Sequence, residues 1–145
     1  MISPSANYQL DPLHRVWRRP GHTDFSYSDG DEVENRIASI IQNAKDLSVL
    51  STELQAQISD WPSNYHLSSQ RANLLRPLKD VLSGSILEIG SGCGAITRFL
   101  GETARSVVAL EGSHRRAEIT RARTRDLANV DVFCDEFSAF ETNQR

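Results

Sequence analysis

Cysteine is scarce in this 145-residue chain: Cys93 and Cys134 are its only two, far apart in sequence and without a CxxC pair. That spacing argues against a disulfide framework and against a thiolate metal motif, so no metal is expected. Long apolar runs are missing too; none approaches the roughly 18 to 20 residues that cross a bilayer. The opening MISPSANYQLDP lacks the basic-then-apolar order of a secretory signal, so the expected address is cytoplasmic. Nor does charge of one sign dominate. Sixteen Lys+Arg against 19 Asp+Glu give a formal net charge of -3, which disfavours a surface devoted wholly to phosphate but is compatible with a local basic stripe. No Ser-His-Asp or Cys-His constellation stands out. What remains, 39% hydrophobic and 24% charged residues, describes one globular domain.

Three stretches differ in texture. In residues 1–30, Pro4, Pro12, Pro20, Gly21 and Gly30 break the chain often enough to predict an irregular arm. The arm carries Tyr8, Trp17, Phe25 and Tyr27, with Arg15, Arg18 and Arg19 interleaved, and its aromatics are expected to pack back on the body. Residues 31–83 read as a helical lead-in. Val33, Ile37, Ile40, Ile41 and Ala44 recur at helical spacing, with Ser28 or Asp29 available as a cap; a second short helix follows Ser51 and should stop before Trp61-Pro62. Leu74, Leu75, Leu78, Val81 and Leu82 mark a further helical face divided by Pro77.

After Gly84 the pattern alternates. Ser85 to Ile89 reads as a buried strand, Ala95 to Leu100 as a helix, Ser106 to Leu110 as a second strand, Ser113 to Asp126 as a second helix capped by Ser113, and Val130 to Cys134 as a third strand. Strands joined by single helices pair in parallel through right-handed crossovers, so residues 84–145 are expected to form part of an α/β, Rossmann-like doubly wound parallel sheet, with the first three strands only. On the second helix, Arg115, Arg116, Arg121, Arg123 and Arg125 are expected to make a solvated face, partly offset by Glu118 and Asp126.

The informative string runs Leu87-Glu88-Ile89-Gly90-Ser91-Gly92-Cys93-Gly94-Ala95-Ile96-Thr97. Glycines at a strand-to-helix turn let the backbone approach a nucleotide-type ligand closely. Spacing alone leaves the ligand open, because Gly90, Gly92 and Ala95 also satisfy a dinucleotide fingerprint. Glu88, where that fingerprint has an apolar or small residue, and the long helical lead-in argue against a nicotinamide-dependent oxidoreductase. Glu111 ends the second strand and Asp135 follows the third.

These residues resemble the class I S-adenosylmethionine (AdoMet) dependent methyltransferases, whose first motif is acidic-x-Gly-x-Gly-x-Gly. Glu88, Gly90, Gly92 and Gly94 match every position. The resemblance implies AdoMet as cofactor. Glu111, with Gly112 beside it, would hold the ribose hydroxyls; Asp135 and its neighbour Glu136 would meet adenine; and Glu88 would lend negative potential near the cationic methionine end. Ser91 and Cys93 complete the loop, Cys93 as a small residue rather than a reactive thiol. Tyr65, Ser68 and Arg71, one helix upstream, would line the methionine end, where His66 either serves as an acid or base or buttresses the following helix. AdoMet brings its own electrophile, so no nucleophilic side chain is required, and no catalytic residue is assigned. Tyr65-His66-Leu67-Ser68 with Arg71 also resembles the lead-in of bacterial methyltransferases associated with surface-polysaccharide glycosyltransferases, and Glu88 to Arg98 is similar to ribosomal-RNA adenine dimethyltransferases.

The expected activity is methyl transfer to a small molecule, sugar or glycan, with nucleic acid disfavoured as partner; a cofactor-binding fragment or module without catalysis is the alternative. In the family a fourth strand and its loop follow. Because this chain ends at Arg145, it is expected to be a truncated form that binds AdoMet weakly and turns over little. Truncation would leave Ser85 to Ile89 as an apolar sheet edge prone to self-association.

Overall fold

A computed structural model describes residues 4–24 and 28–142; Phe25 and Tyr27 of the arm lie outside the described residues. Five strands make one mostly parallel sheet: β1 (Gln9–Leu10), β2 (Trp17–Arg18), β3 (Ser85–Ile89), β4 (Ser106–Glu111) and β5 (Val130–Cys134), in the order β1-β2-β5-β4-β3. Helices α1 (Asp31–Asn43), α2 (Thr52–Gln55) and α3 (Trp61–Leu67) precede β3; α4 (Ala95–Thr103) and α5 (His114–Arg123) make the crossovers.

The three expected parallel strands form over the expected residues, but β3, read as buried, alternates exposed and half-buried residues. Every residue of β4 is buried, because β4 pairs with β3 on one side and β5 on the other. The sheet is nevertheless larger than three strands. Trp17 and Arg18 pair in parallel with Phe133 and Cys134, and Gln9–Leu10 adds an antiparallel strand outside them. The arm is thus ordered where it touches the sheet. Val16 is fully buried, Trp17 stacks on Phe133, and Tyr8 meets Phe133 edge-on with ring centroids 5.0 Å apart. Burial of these apolar groups overrides the prolines, which sit at the strand ends where no ladder bond is lost. At the opposite side β3 is an edge among the described residues, and it leaves Leu87 44% and Ile89 53% exposed.

The lead-in departs from the sequence reading in its caps. Helix α1 starts after Gly30, without a side-chain cap. Ser28 instead donates to Glu34, and Asp29 pairs with His66 and Arg116. Helix α2 stops at Gln55, before Trp61-Pro62 as expected, and Trp61-Pro62 itself opens a further helix: Asp60 and Ser63 form a capping box, and proline is tolerated in a first turn whose amides have no intrahelical acceptor. The leucine-rich stretch winds into 3-10 turns at Ser69–Leu74 and Arg76–Leu78, leaving Leu74 and Val81 largely exposed. Ser51 and Ser113 cap α2 and α5 as expected.

The arginine face of α5 is solvated only in part: Arg125 is exposed and Arg115 and Arg121 are half-buried. Arg116 and Arg123 are buried at 8% and 2% exposure. Arg116 donates to Glu34 at 2.8 Å and to Asp29 at 2.9 Å, Arg123 donates to the His66 carbonyl, and Arg125 reaches the carbonyls of Ile41 and Ala44. These cations bind the lead-in helices to the sheet half. Burial pushes Arg123 down to about 10.

Candidate cofactor site

The loop between β3 and α4 is built on three left-handed glycines, Gly90 (φ 76), Gly92 (φ 57) and Gly94 (φ 79). A side chain there would be strained at each. A Cβ at Gly90 or Gly92 would face open space, whereas one at Gly94 would stand 3.0 Å from the Thr120 Cα, so Gly94 also permits the close approach of loop and α5. Two hydrogen bonds brace that approach. Ser91 Oγ and Thr120 Oγ1 are 3.2 Å apart, and Thr120 Oγ1 donates to the Gly92 carbonyl at 2.8 Å.

Glu88 and Glu111 flank the loop. Gly92 N donates to Glu111 Oε2 at 2.7 Å and Ser113 N donates to Oε1 at 3.0 Å, which fixes the carboxylate. Each oxygen keeps a further lone pair, so the group remains able to accept from a pair of vicinal hydroxyls. Thr97 Oγ1 donates to Glu88 Oε2 at 2.6 Å, yet loss of hydration, helped by the Glu111 charge, pushes the Glu88 carboxyl up to about 7. Glu88 is therefore shared between its protonated and charged forms near neutrality, and a nearby cation would favour the charged form.

Asp135 is placed differently from a free adenine acceptor. It is buried, and its Oδ2 accepts from Tyr8 Oη at 2.5 Å and Arg19 Nε at 2.7 Å, while Oδ1 accepts from Glu136 N at 2.9 Å. Burial alone would raise its pKa, but Tyr8 and Arg19 more than offset this and hold it below the usual carboxylate range. Arm and strand end therefore meet over a hollow of about 400 Å³ lined by Gly21, His22, Thr23, Asp24, Asp135 and Glu136. His22 lies 2.9 Å from the Gly112 carbonyl and so joins the arm to the Glu111 loop. Sequence reasoning missed His22 and Arg19, because nothing local announces that the arm crosses the carboxyl ends of β4 and β5.

The other predicted residues fall into two groups. Tyr65, Ser68 and Arg71 are brought together beside the start of α4, in a hollow of about 280 Å³ that also includes Trp61 and Ile96. Trp61 stacks on Tyr65, and the Arg71 guanidinium lies 4.1 Å from the Tyr65 ring centroid. Cys93 turns away, into the cluster of Ile37, Ile41 and Ile119, where burial pushes its thiol up to about 12. His66 is likewise structural: it is buried, 2.8 Å from Asp29, and loss of hydration lowers its pKa. Glu136 is exposed.

Among the described residues, two groups bring three metal-capable side chains close together, and several of their donor atoms are engaged, although His114 Nε2 is buried without a hydrogen-bond partner. In the group of His22, His114 and Cys134, Arg18 donates to His114 Nδ1 at 2.7 Å and the Cys134 thiol is pushed up to about 12 by burial. In the group of Asp11, His14 and Glu118, Arg18 pairs with both carboxylates.

A parallel sheet with an acidic, triple-glycine loop after β3 and a second acid ending β4 is the arrangement of a class I AdoMet-dependent methyltransferase. The comparison with known families is specific: the profile described as ribosomal RNA adenine dimethylase matches residues 70–145, more than half of the chain. This chain belongs to the ribosomal RNA adenine dimethylase family. Among curated proteins, ribosomal RNA small subunit methyltransferase A of Streptococcus pneumoniae is 46% identical over 48 residues, which cover 33% of this chain and 17% of that relative. Among solved structures, the DhpI complex with S-adenosylhomocysteine aligns at 26% identity over 72% of this chain and 45% of that one, with a TM-score of 0.42. Phosphoethanolamine N-methyltransferase 1 of Haemonchus contortus aligns at 20% identity over 76% of this chain and 22% of that one, with a TM-score of 0.47. The names of the family and of the curated relative refer to ribosomal RNA, and a small-molecule, sugar or glycan acceptor is not established by these matches; the chain spans under a fifth of the length of that relative. No helix among the described residues is long and apolar enough to cross a membrane.

Proposed function

We propose that this chain is the cofactor-binding part of an AdoMet-dependent methyltransferase whose acceptor is an adenine base in RNA. The observation that carries the reading is the Glu111 carboxylate, held by the amides of Gly92 and Ser113 beside a left-handed glycine loop that faces open space. In this reading Glu111 accepts from both ribose hydroxyls, Gly90 and Gly92 give the cofactor's backbone-facing side room, and Tyr65 with Arg71 bounds the methionine end. Gly112, Asp135 and Glu136 frame the adenine end, with the Asp135 charge balanced by Arg19 and the Glu136 amide already directed toward Asp135. Bound AdoMet supplies the electrophilic methyl group. The residues of this chain align it, and the apolar walls from α4 and the sheet exclude water.

Isothermal titration tests the proposal. The chain should bind S-adenosylhomocysteine and AdoMet but not NAD, and Glu111→Gln should weaken the sulfur ligands roughly tenfold by removing a charge-assisted contact. Binding of NAD in place of both sulfur ligands would overturn it.

A further inference from the structure

A groove of about 790 Å³ runs between α1 and α5, away from the glycine loop, under the arm turn at Leu13, His14 and Arg15. Its floor is Ala38, Ile119 and Ala122. Its rim carries four guanidinium groups, Arg15, Arg115, Arg121 and Arg125, against a single carboxylate, Glu118.

That carboxylate is already engaged. Glu118 accepts from Arg18 at 2.7 Å, and His14 and Arg115 both lie 3.6 Å from it. Among the described residues the remaining cations, Arg15, Arg121 and Arg125, form no ion pair within 4 Å. Arg121 donates to the carbonyls of Val130 and Arg125 and to the Thr124 hydroxyl, and Arg125 donates to the carbonyls of Ile41, Ala44 and Ala122. Carbonyl bonds orient a guanidinium without neutralising it. Asp131 and Asp126 act on Arg121 at longer range, and Asp126 is itself paired with Arg98 at 2.5 Å. Lost hydration and the Arg15 charge both hold Arg121 below its ordinary value. Arg15 is exposed and stands in the left-handed region at φ 59, a backbone conformation that a non-glycine residue adopts at a cost.

The cations are spread along the helix axis rather than converging on one point. From Arg115 to Arg121 the helical rise amounts to roughly 9 Å, and Arg125 follows beyond the end of α5, a span too long for one phosphate and suited to a chain of them. We infer that the groove between α1 and α5 binds the phosphodiester backbone of RNA, with Arg15, Arg115, Arg121 and Arg125 as the phosphate contacts. The inference rests on the RNA reading above and extends it to a surface outside the cofactor cradle. Because α5 begins three residues after Glu111 ends β4, a strand held in the groove is led toward the cradle at its Arg115 end.

The test is fluorescence anisotropy of the 145-residue chain with a labelled single-stranded RNA across a potassium chloride series. Arg15→Glu and Arg115→Glu should each weaken binding several-fold and make the log–log salt slope shallower by about 1. Arg15→Gly should weaken RNA binding while leaving urea stability equal or higher, since glycine relaxes the left-handed backbone; Arg15→Lys should stay within about twofold of wild type because a point charge suffices for a phosphate. Wild-type affinity and slope in both glutamate variants would overturn the inference, as would no RNA binding by the parent chain or equal affinity for polyglutamate. S-adenosylhomocysteine titrations on the same variants separate the two proposals. Unchanged cofactor binding with unaffected RNA binding sinks the groove alone, and absent cofactor binding with the expected RNA losses sinks the cofactor site alone.

Discussion

Replacing Arg116 with methionine should be among the most damaging single changes in this chain. Arg116 keeps about 8% of its surface exposed and Glu34 3%, and the guanidinium is the cation that faces the Glu34 carboxylate at 2.8 Å and Asp29 at 2.9 Å. Methionine fills similar volume, so the cost comes from stranding a buried carboxylate. Removing one member of a buried ion pair costs about 3–5 kcal/mol. Out of a total stability of about 5–15 kcal/mol for a domain, that is a large fraction. Urea unfolding followed by circular dichroism would report it as a lower midpoint at unchanged slope. The double variant Arg116→Met/Glu34→Leu should recover most of the loss, because two apolar side chains replace two charges and the partly exposed Asp29 keeps His66 as a partner. Arg115→Met is the control: its side chain is 42% exposed and 3.6 Å from Glu118, so it should cost less than about 1 kcal/mol. A loss below 1 kcal/mol for Arg116→Met, or a double variant as unstable as the sum of the two single changes, would refute the view that buried arginines bind the lead-in helices to the sheet.

Two further outcomes follow from particular residues. Burial raises Glu88 from an ordinary 4.5 to about 7, so between those pH values the folded chain holds a proton that the unfolded chain has released, and stability should fall as pH rises through this window, by roughly 3 kcal/mol in total; Glu88→Gln should flatten that slope in urea titrations, and an unchanged slope would count against the burial argument. The exposed side chains of β3, Leu87 and Ile89, border an edge that pairs only with β4 among the described residues, so sedimentation velocity should show concentration-dependent association that Leu87→Lys/Ile89→Lys suppresses; a monomer at all concentrations would contradict this.

What was legible in the sequence was local and periodic. The alternation after Gly84 specified β3, α4, β4, α5 and β5 because each element is long enough to show its own period, and Ser113 announced its cap through the chemistry of one hydroxyl. The loop glycines could be read because positive φ at a strand-to-helix turn has few solutions. Strands β1 and β2 were not legible: two residues show no periodicity, and their pairing is decided by Val16, Trp17 and Tyr8 burying themselves against Phe133 far along the chain. The buried arginines were hidden for the same reason, since the partner that makes Arg116 tolerable inside is Glu34, 82 residues away. In the candidate cofactor site, the positions of Glu88, Glu111 and the loop followed from order along the sheet. The tie of Asp135 to Tyr8 and Arg19 depends on the arm crossing the sheet, which no local signal encodes.

The central claim is that the loop from Gly90 to Gly94, together with Glu111, receives the cofactor. Amide nitrogen–proton spectra of the labelled chain titrated with S-adenosylhomocysteine test it most directly, because glycine amides resonate apart from the rest. The account predicts saturable shifts at Gly90, Gly92, Gly94 and Gly112, reduced in Glu111→Gln and absent with NAD. Saturable shifts confined to other parts of the chain, or the same glycine shifts with NAD, would contradict it.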